Sequence, residues 1–193
     1  AGGQGTRMNN EVPKQFIEIS GKPVLVYTIE SFLRAEVDVL ILVIAKNHFE
    51  RWASIKEQWL PKQSIQIVNG GETRFQSVKN GLKPVEGPGI VAIHDAARPC
   101  VNAQLISAGY KAAAIHKSAV ASVALKDSIR EKSGGNTVSR DRSNYYLIQT
   151  PQTFDIDLLK KSYETANDTR FTDDASVVAS KGHEVYLIEG FYQ

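Results

Sequence analysis

The feature that most constrains the fold is the run Val39-Leu40-Ile41-Leu42-Val43-Ile44. Its residues are all apolar and mostly β-branched, and β-branched side chains are stiff at χ1 and favour strands. A half-buried strand alternates apolar with polar residues, whereas an unbroken apolar run describes a strand covered on both faces. Such a strand needs a layer of structure on each side. The next segment supplies one: Asn47 can cap a helix, and Phe49, Trp52, Ile55 and Trp59 recur at helical spacing along one face. Pro61 ends that helix.

The same unit recurs. Residues 65–68, 90–93, 118–125 and 184–188 read as further strands. Thr73 can cap a helix through Leu82, and Asn102 can open one through about His116. Strand–helix units in succession predict an α/β fold with a mainly parallel sheet and helices on both faces. Ligands in such folds sit beyond the carboxyl ends of the strands, so the chemistry is expected in the loops that follow them. A chain of 193 residues is enough for one domain, spanning 1–193, with a full core. A net charge of +2 offers no nucleic-acid track. No apolar run reaches ~18 residues, so no membrane span is expected, and no leader of the signal-peptide kind is expected either. The one cysteine, Cys100, cannot form an intrachain disulfide, which fits a reducing cytoplasm. It reads as a small buried apolar side chain. The polar stretch 126–145 breaks the pattern. With Gly134-Gly135-Asn136 at its centre it reads as a two-stranded arm, either reaching a second subunit or lying as a surface hairpin.

The loops carry the chemistry. At the start of the chain Gly2, Gly3 and Gly5 are followed by Arg7 and Lys14. Glycines let a backbone approach a ligand closely, and consecutive N–H groups in such a turn bind anions. Two cations nearby point to a polyphosphate whose charge they stabilise during reaction. Pro13 limits where Lys14 can point. The loop is neither a dinucleotide fingerprint, since Met8 stands at the third glycine position, nor a Walker A motif, since Pro23 follows Gly21-Lys22. Glycine loops of this kind follow a strand, so residues upstream of Ala1 are expected. The late apolar run likewise closes at Glu189-Gly190, and residues beyond Gln193 are expected.

A second loop, residues 69–77, combines Gly70 and Gly71 with a helix N-terminus. Ser77, one turn in, can bond a base or sugar; an ordinary capped helix start is the alternative. A third loop, His94-Asp95-Ala96-Ala97-Arg98-Pro99, places Asp95 just past a strand, where it can hold Mg²⁺ near phosphates. Alternatively Asp95 forms a turn and pairs with Arg98. Small Ala96 and Ala97 leave room for a substrate, and His94 reads as structural. Later come Lys126-Asp127-Ser128, Arg140-Asp141-Arg142, Gln149-Thr150-Pro151-Gln152 and Thr172-Asp173-Asp174-Ala175-Ser176. Their hydroxyls and arginine suit a phosphorylated polyol, though each alone reads as a cap, a turn or a solvated charge.

Taken in order, A-G-G-Q-G-T-R-M with P-K-Q-F, G-G-E-T-R-F-Q-S-V, H-D-A-A-R-P, K-D-S, T-P-Q-T-F and T-D-D-A-S resemble the 2-C-methyl-D-erythritol 4-phosphate cytidylyltransferases. The likeness runs over essentially the whole chain. It implies a Rossmann-like nucleotidyltransferase domain that moves CMP from CTP to the phosphate of methylerythritol phosphate and releases pyrophosphate, in non-mevalonate isoprenoid biosynthesis. By the same resemblance Ala1, Gly2 and Gly3 cradle the CTP phosphates, and Arg7 and Lys14 stabilise the transition state. Gly70, Gly71 and Ser77 read cytosine, and Asp95 holds Mg²⁺. Ser128 and Arg142, on an arm at about 126–147, reach the neighbouring subunit's substrate in a cytoplasmic homodimer. Ala96, Thr150 and Thr172 line the acceptor side. Ser128 stands where the family often has threonine, and a lysine of an N-I-K segment has no counterpart before Gln193. The nearest rival is a cytidylyltransferase acting on ribitol 5-phosphate, which tends to have serine and valine where this chain has Ala96-Ala97. A CTP-binding module without catalysis is a rival of another class, and a nicotinamide oxidoreductase is more distant still.

Overall fold

The computed structural model describes residues 12–166 and 171–192. A short antiparallel pair, β1 (Glu18–Ile19) and β2 (Lys22–Pro23), leads into α1 (Val24–Arg34). Of the apolar run 39–44, Ile41–Ile44 form β3, followed by α2 (Phe49–Trp59) and β4 (Gln66–Asn69). The run is not covered on both faces as expected, since Leu42 and Ile44 are buried, Ile41 and Val43 are half-buried and Val39, ahead of the strand, is exposed. Trp52 of α2 is fully buried and Ile55 nearly so, as the helical spacing predicted. Asn47 is not the cap, however. It lies inside a 3-10 turn, Lys46–His48, and His48 takes the N-cap position without a side-chain bond. Next come α3 (Arg74–Leu82), β5 (Ile90–Ile93), α4 (Ala103–His116) and β6 (Ser118–Ala124). Asn102 caps α4 by accepting the Leu105 N–H at 2.9 Å. The hairpin β7 (Ile129–Ser133) and β8 (Asn136–Arg140) turns at Gly134-Gly135, with Gly134 at φ +57°. The chain continues through β9 (Tyr146–Asp155), α5 (Ile156–Thr165), α6 (Asp174–Ala179) and β10 (Leu187–Glu189).

The fold is α/β, but its sheet is mixed where the sequence reading expected mainly parallel strands. β3 and β4 pair in parallel. The larger sheet has the order β10-β6-β9-β5, with β10 parallel to β6 and β9 antiparallel to both of its neighbours. A parallel return needs a long crossover, whereas a hairpin returns antiparallel. The segment between β6 and β9 is such a hairpin, so β9 comes back alongside the strand it left, pairing Tyr146 with Ala124. The register then slips: Ser122 faces Ile148, but Val120 faces Gln152. The extra residues of β9 include Thr150 and Pro151, joined by a cis peptide. Proline inside sheets is confined to edges and bulges, and this one sits at the irregularity.

Helices lie on both faces of this sheet. Consecutive strand residues point to opposite faces. Val120 packs with Phe75, Leu159, Tyr163 and Val178 from α3, α5 and α6. Ala121, its neighbour, packs with Leu105 and Ile106 of α4 and with Phe32 of α1. A third cluster joins α1 and α2 to β3 through Leu25, Ile29, Ile44 and Trp52. Cys100 is exposed, contrary to the buried position expected of it: it lies in the surface turn between β5 and α4 and not on a core-facing strand or helix position. Among the described residues no helix is long and apolar enough to cross a membrane.

Candidate active site

The loop between β4 and α3 is built around a capping box. Thr73 Oγ1 accepts the Gln76 N–H at 3.1 Å, and Gln76 Oε1 accepts the N–H groups of Glu72 and Thr73 at 2.9 and 3.3 Å. This arrangement satisfies donors that a helix start leaves unpaired. Ser77 Oγ accepts the Gly71 N–H at 3.0 Å and donates to the Thr73 carbonyl at 2.9 Å. Ser77 is therefore buried against the loop it was expected to share with Gly70 and Gly71. Gly71 has no room for a side chain: a Cβ there would lie 2.4 Å from Gln76 Cβ. The Gly70 N–H donates to the Ile44 carbonyl at 2.9 Å, tying the loop to the end of β3.

The loop after β5 carries Asp95. Its carboxylate accepts from Arg98 Nε at 3.0 Å, and its backbone N–H donates to Thr150 Oγ1 at 3.3 Å. The ion pair that the sequence offered as an alternative is thus present, and Asp95 remains 42% exposed. Thr28 Oγ1 of α1 donates to the Ala96 carbonyl at 2.9 Å and anchors the loop, with Ala96 buried beneath it. His94 is structural: Nε2 bonds to the Arg98 carbonyl at 3.0 Å and the ring packs on Phe32. Burial pulls its pKa down to about 4, which keeps the imidazole neutral, and because the Arg98 carbonyl can only accept, Nε2 carries the proton. Beside this loop lies a cleft of 240 Å³ lined by His94, Ala97, Arg98, Gln149, Thr150 and Phe191.

Among the described residues no three His, Cys, Asp or Glu side chains cluster to hold a metal. Mg²⁺ in phosphate-handling sites is bound by one or two carboxylates together with substrate phosphates and waters, not by an all-protein cage. A single, part-exposed Asp95 carboxylate on the loop beside the cleft fits that donor set.

A buried polar knot joins these loops to the later motifs. Asp174, fully buried, accepts both guanidinium nitrogens of Arg74, at 3.0 and 2.5 Å, and the Tyr163 hydroxyl at 2.6 Å. Burial opposes the Arg74 charge, and the bond and attraction to Asp174 more than offset it. Burial and the same carboxylate push the Tyr163 hydroxyl well above the usual phenol range, so it stays a donor. Gln152 of β9 completes the knot: its Oε1 accepts the N–H groups of Asp174 and Ala175 at 3.0 and 2.9 Å. Thr172 directly precedes Asp173, which caps α6. Arg74 and Asp174 are 100 positions apart. Their motifs stand out in the sequence, yet nothing in either segment alone announces the other as its partner.

The remaining expected residues lie apart. Lys14 is exposed on a 3-10 turn, Lys14–Phe16, that is anchored by buried Gln15 and Phe16 and packs against α1. Ser128 and Arg142 are exposed at the base of the hairpin, where Arg142 Nη1 donates to the Lys126 carbonyl. Ala1, Gly2, Gly3 and Arg7 fall outside the described residues. Beside the hairpin base, Tyr145, Tyr146, Leu147 and Ile148 are all exposed, together with Phe191 and Tyr192.

Comparison with known proteins matches this arrangement to one family. The family described as 2-C-methyl-D-erythritol 4-phosphate cytidylyltransferase matches residues 1–193. A Bacteroides fragilis protein of that name is 45% identical over 193 residues, covering 98% of this chain and 87% of that protein. Its counterpart from Phocaeicola vulgatus is 42% identical over 193 residues, with 98% and 87% covered. Among solved structures, a 4-diphosphocytidyl-2C-methyl-D-erythritol synthase from Anaerococcus prevotii superposes with a TM-score of 0.85 at 28% identity, covering 92% of this chain and 84% of that one. The Thermus thermophilus cytidylyltransferase gives 0.78 at 27% identity, with 93% and 84% covered. The chain belongs to the 2-C-methyl-D-erythritol 4-phosphate cytidylyltransferase family.

Proposed function

We propose that the protein transfers CMP from CTP to 2-C-methyl-D-erythritol 4-phosphate in isoprenoid biosynthesis. The observation that carries this reading is the family match over residues 1–193, and the ordered Gly70–Ser77 and Asp95 loops, each tied by its own hydrogen bonds, support it. A phosphate oxygen of the acceptor attacks the α-phosphorus of CTP in line. The bond from that phosphorus to the β-phosphate bridging oxygen breaks, and pyrophosphate leaves with the electron pair. No covalent enzyme intermediate is needed, so the protein's contribution is positioning and charge stabilisation.

Gly70, Gly71 and Ser77 receive the cytosine edge in this reading. Ala1, Gly2 and Gly3 cradle the phosphates, and Arg7 and Lys14 offset the charge that grows on them. Asp95 would hold Mg²⁺, which when bound neutralises charge on the triphosphate. Ala96, Thr150 and Thr172 line the acceptor side. Ser128 and Arg142 serve the site of a second subunit. The dimer is supported by the run of exposed large apolar side chains Tyr145, Tyr146, Leu147 and Ile148 next to the hairpin base, since exposed apolar surface concentrated in one segment marks an interaction site. A cytoplasmic site of action agrees with the single cysteine of the sequence, Cys100, which leaves no intrachain disulfide within it.

The test is pyrophosphate release with CTP against a panel of polyol phosphates. Release with methylerythritol phosphate is expected. Release with ribitol 5-phosphate instead would reassign the acceptor, and CTP binding without release on any polyol phosphate would leave only a binding module.

A further inference from the structure

A buried ion pair is weak evidence for stability, because apolar residues of similar volume commonly serve as well. The Arg74–Asp174 pair lies against an apolar cluster that includes Phe75, Tyr163, Val177 and Val178. Its position explains it better. Arg74 is the first residue of α3, next to the cap that shapes the nucleotide loop and three residues before Ser77. Asp174 is the first residue of α6, two after Thr172. Gln152, which holds the backbone of Asp174 and Ala175, lies two residues after Thr150 on the strand that also bonds the Asp95 loop. Arg74 further feels the Asp95 carboxylate. One hydrogen-bonded network therefore joins the starts of α3 and α6 to β9, and β9 in turn bonds the Asp95 loop through Thr150; such networks act as units.

We infer that the Arg74–Asp174 pair is a positioning element that holds the nucleotide loop and the acceptor-side segment in one geometry, so that each half-site depends on the other. The inference rests on the site assignment proposed above. Neither residue touches a reacting atom; both act through Ser77, Thr150 and Thr172.

The test is a crossed one. Arg74→Gln, on the nucleotide side, is expected to raise KM for methylerythritol phosphate about tenfold, and Asp174→Asn to raise KM for CTP about tenfold, within the coupling seen inside single networks. The double variant should be little worse than either single one. Tyr163→Phe removes one bond to Asp174 and keeps the ion pair, so both KM values should rise about two- to threefold. Arg74→Lys keeps the charge but loses the fork, and should fall between wild type and Arg74→Gln. If Asp174→Asn does not fold, Tyr163→Phe and Arg74→Lys decide the question. Variants that lose melting temperature but keep both KM values within about twofold would show a purely structural pair and overturn the inference. Wild-type turnover measured in parallel tests the activity itself: no release by wild type sinks the site assignment, not the crossed dependence, which is then read from CTP affinity by calorimetry in the same variants.

Discussion

Replacing Gly71 with alanine separates steric necessity from nucleotide recognition. The new Cβ would lie 2.4 Å from Gln76 Cβ, 3.1 Å from its backbone carbonyl carbon and 3.2 Å from its Oε1. Ordinary carbon contacts begin near 3.5 Å, so loop and helix must separate by roughly 1 Å. Gln76 cannot simply swing away, because the nearest atoms are its backbone and Cβ and because its amide closes the capping box. The shift loses about 1 kcal/mol of cap and adds about 1–3 kcal/mol of overpacking. For a chain of this size that lowers Tm by roughly 5–15 °C. The same displacement breaks the 3.0 Å bond from the Gly71 N–H to Ser77 Oγ, and a 1 Å misplacement can cost up to about a hundredfold in a site that works by positioning. Thermal melts and steady-state kinetics at varied CTP read both effects. We expect KM for CTP to rise at least about tenfold. An unchanged Tm would refute the steric argument. A lowered Tm with normal KM for CTP would refute the assignment of this loop to the nucleotide.

In metal-free buffer His94 is expected to make the protein acid-sensitive. Its pKa is about 4 when folded against 6.5 as a model value, so only the unfolded state gains a proton between these pH values. Stability is whole above pH 6.5 and falls by up to about 3 kcal/mol as pH drops toward 4. Denaturant titrations of His94→Gln should follow a shallower acid limb than wild type, and parallel limbs would count against the assignment. Asp95→Asn should cost little stability, within about 0.5 kcal/mol because its ion pair is exposed. It should nevertheless lower Mg²⁺-dependent turnover by about a hundredfold or more, and normal turnover would remove Asp95 from the metal. Leu147→Glu should halve the mass seen by light scattering and abolish turnover while leaving CTP affinity intact; an active monomer would dismiss the shared site.

Local signals in the sequence were legible where one segment decides its own structure. Thr73 and Asn102 cap the helices they were expected to cap, and the hairpin turns at its glycines. Of residues 39–44 only Ile41–Ile44 form the strand, and its burial alternates rather than covering both faces, so the continuous apolar run located the strand but overstated its cover. What escaped depends on partners distant in the chain. β9 reads as loop because of Gln149, Pro151 and Gln152, yet Gln152 is buried by its bonds to α6 rather than by hydrophobicity. The mixed sheet follows from that missed strand. Asp174 reads as one of two solvated aspartates; only the tertiary fold brings Arg74 to it. At Asp95 the alternative reading, a turn paired with Arg98, is the one the structure shows, and the carboxylate stays part-exposed.

The place of β9 also bears on how the chain is made. β5 and β6 do not pair with each other; β9 fills the position between them. During synthesis the centre of the larger sheet stays unoccupied until residues 146–155 have emerged, after the hairpin has been made. Until then β5 and β6 present facing edges with unpaired backbone groups, the kind of surface that templates wrong pairings. A ribosome stalled just past the hairpin should therefore hold a protease-sensitive, chaperone-bound chain, and protection should appear in one step as β9 enters the sheet.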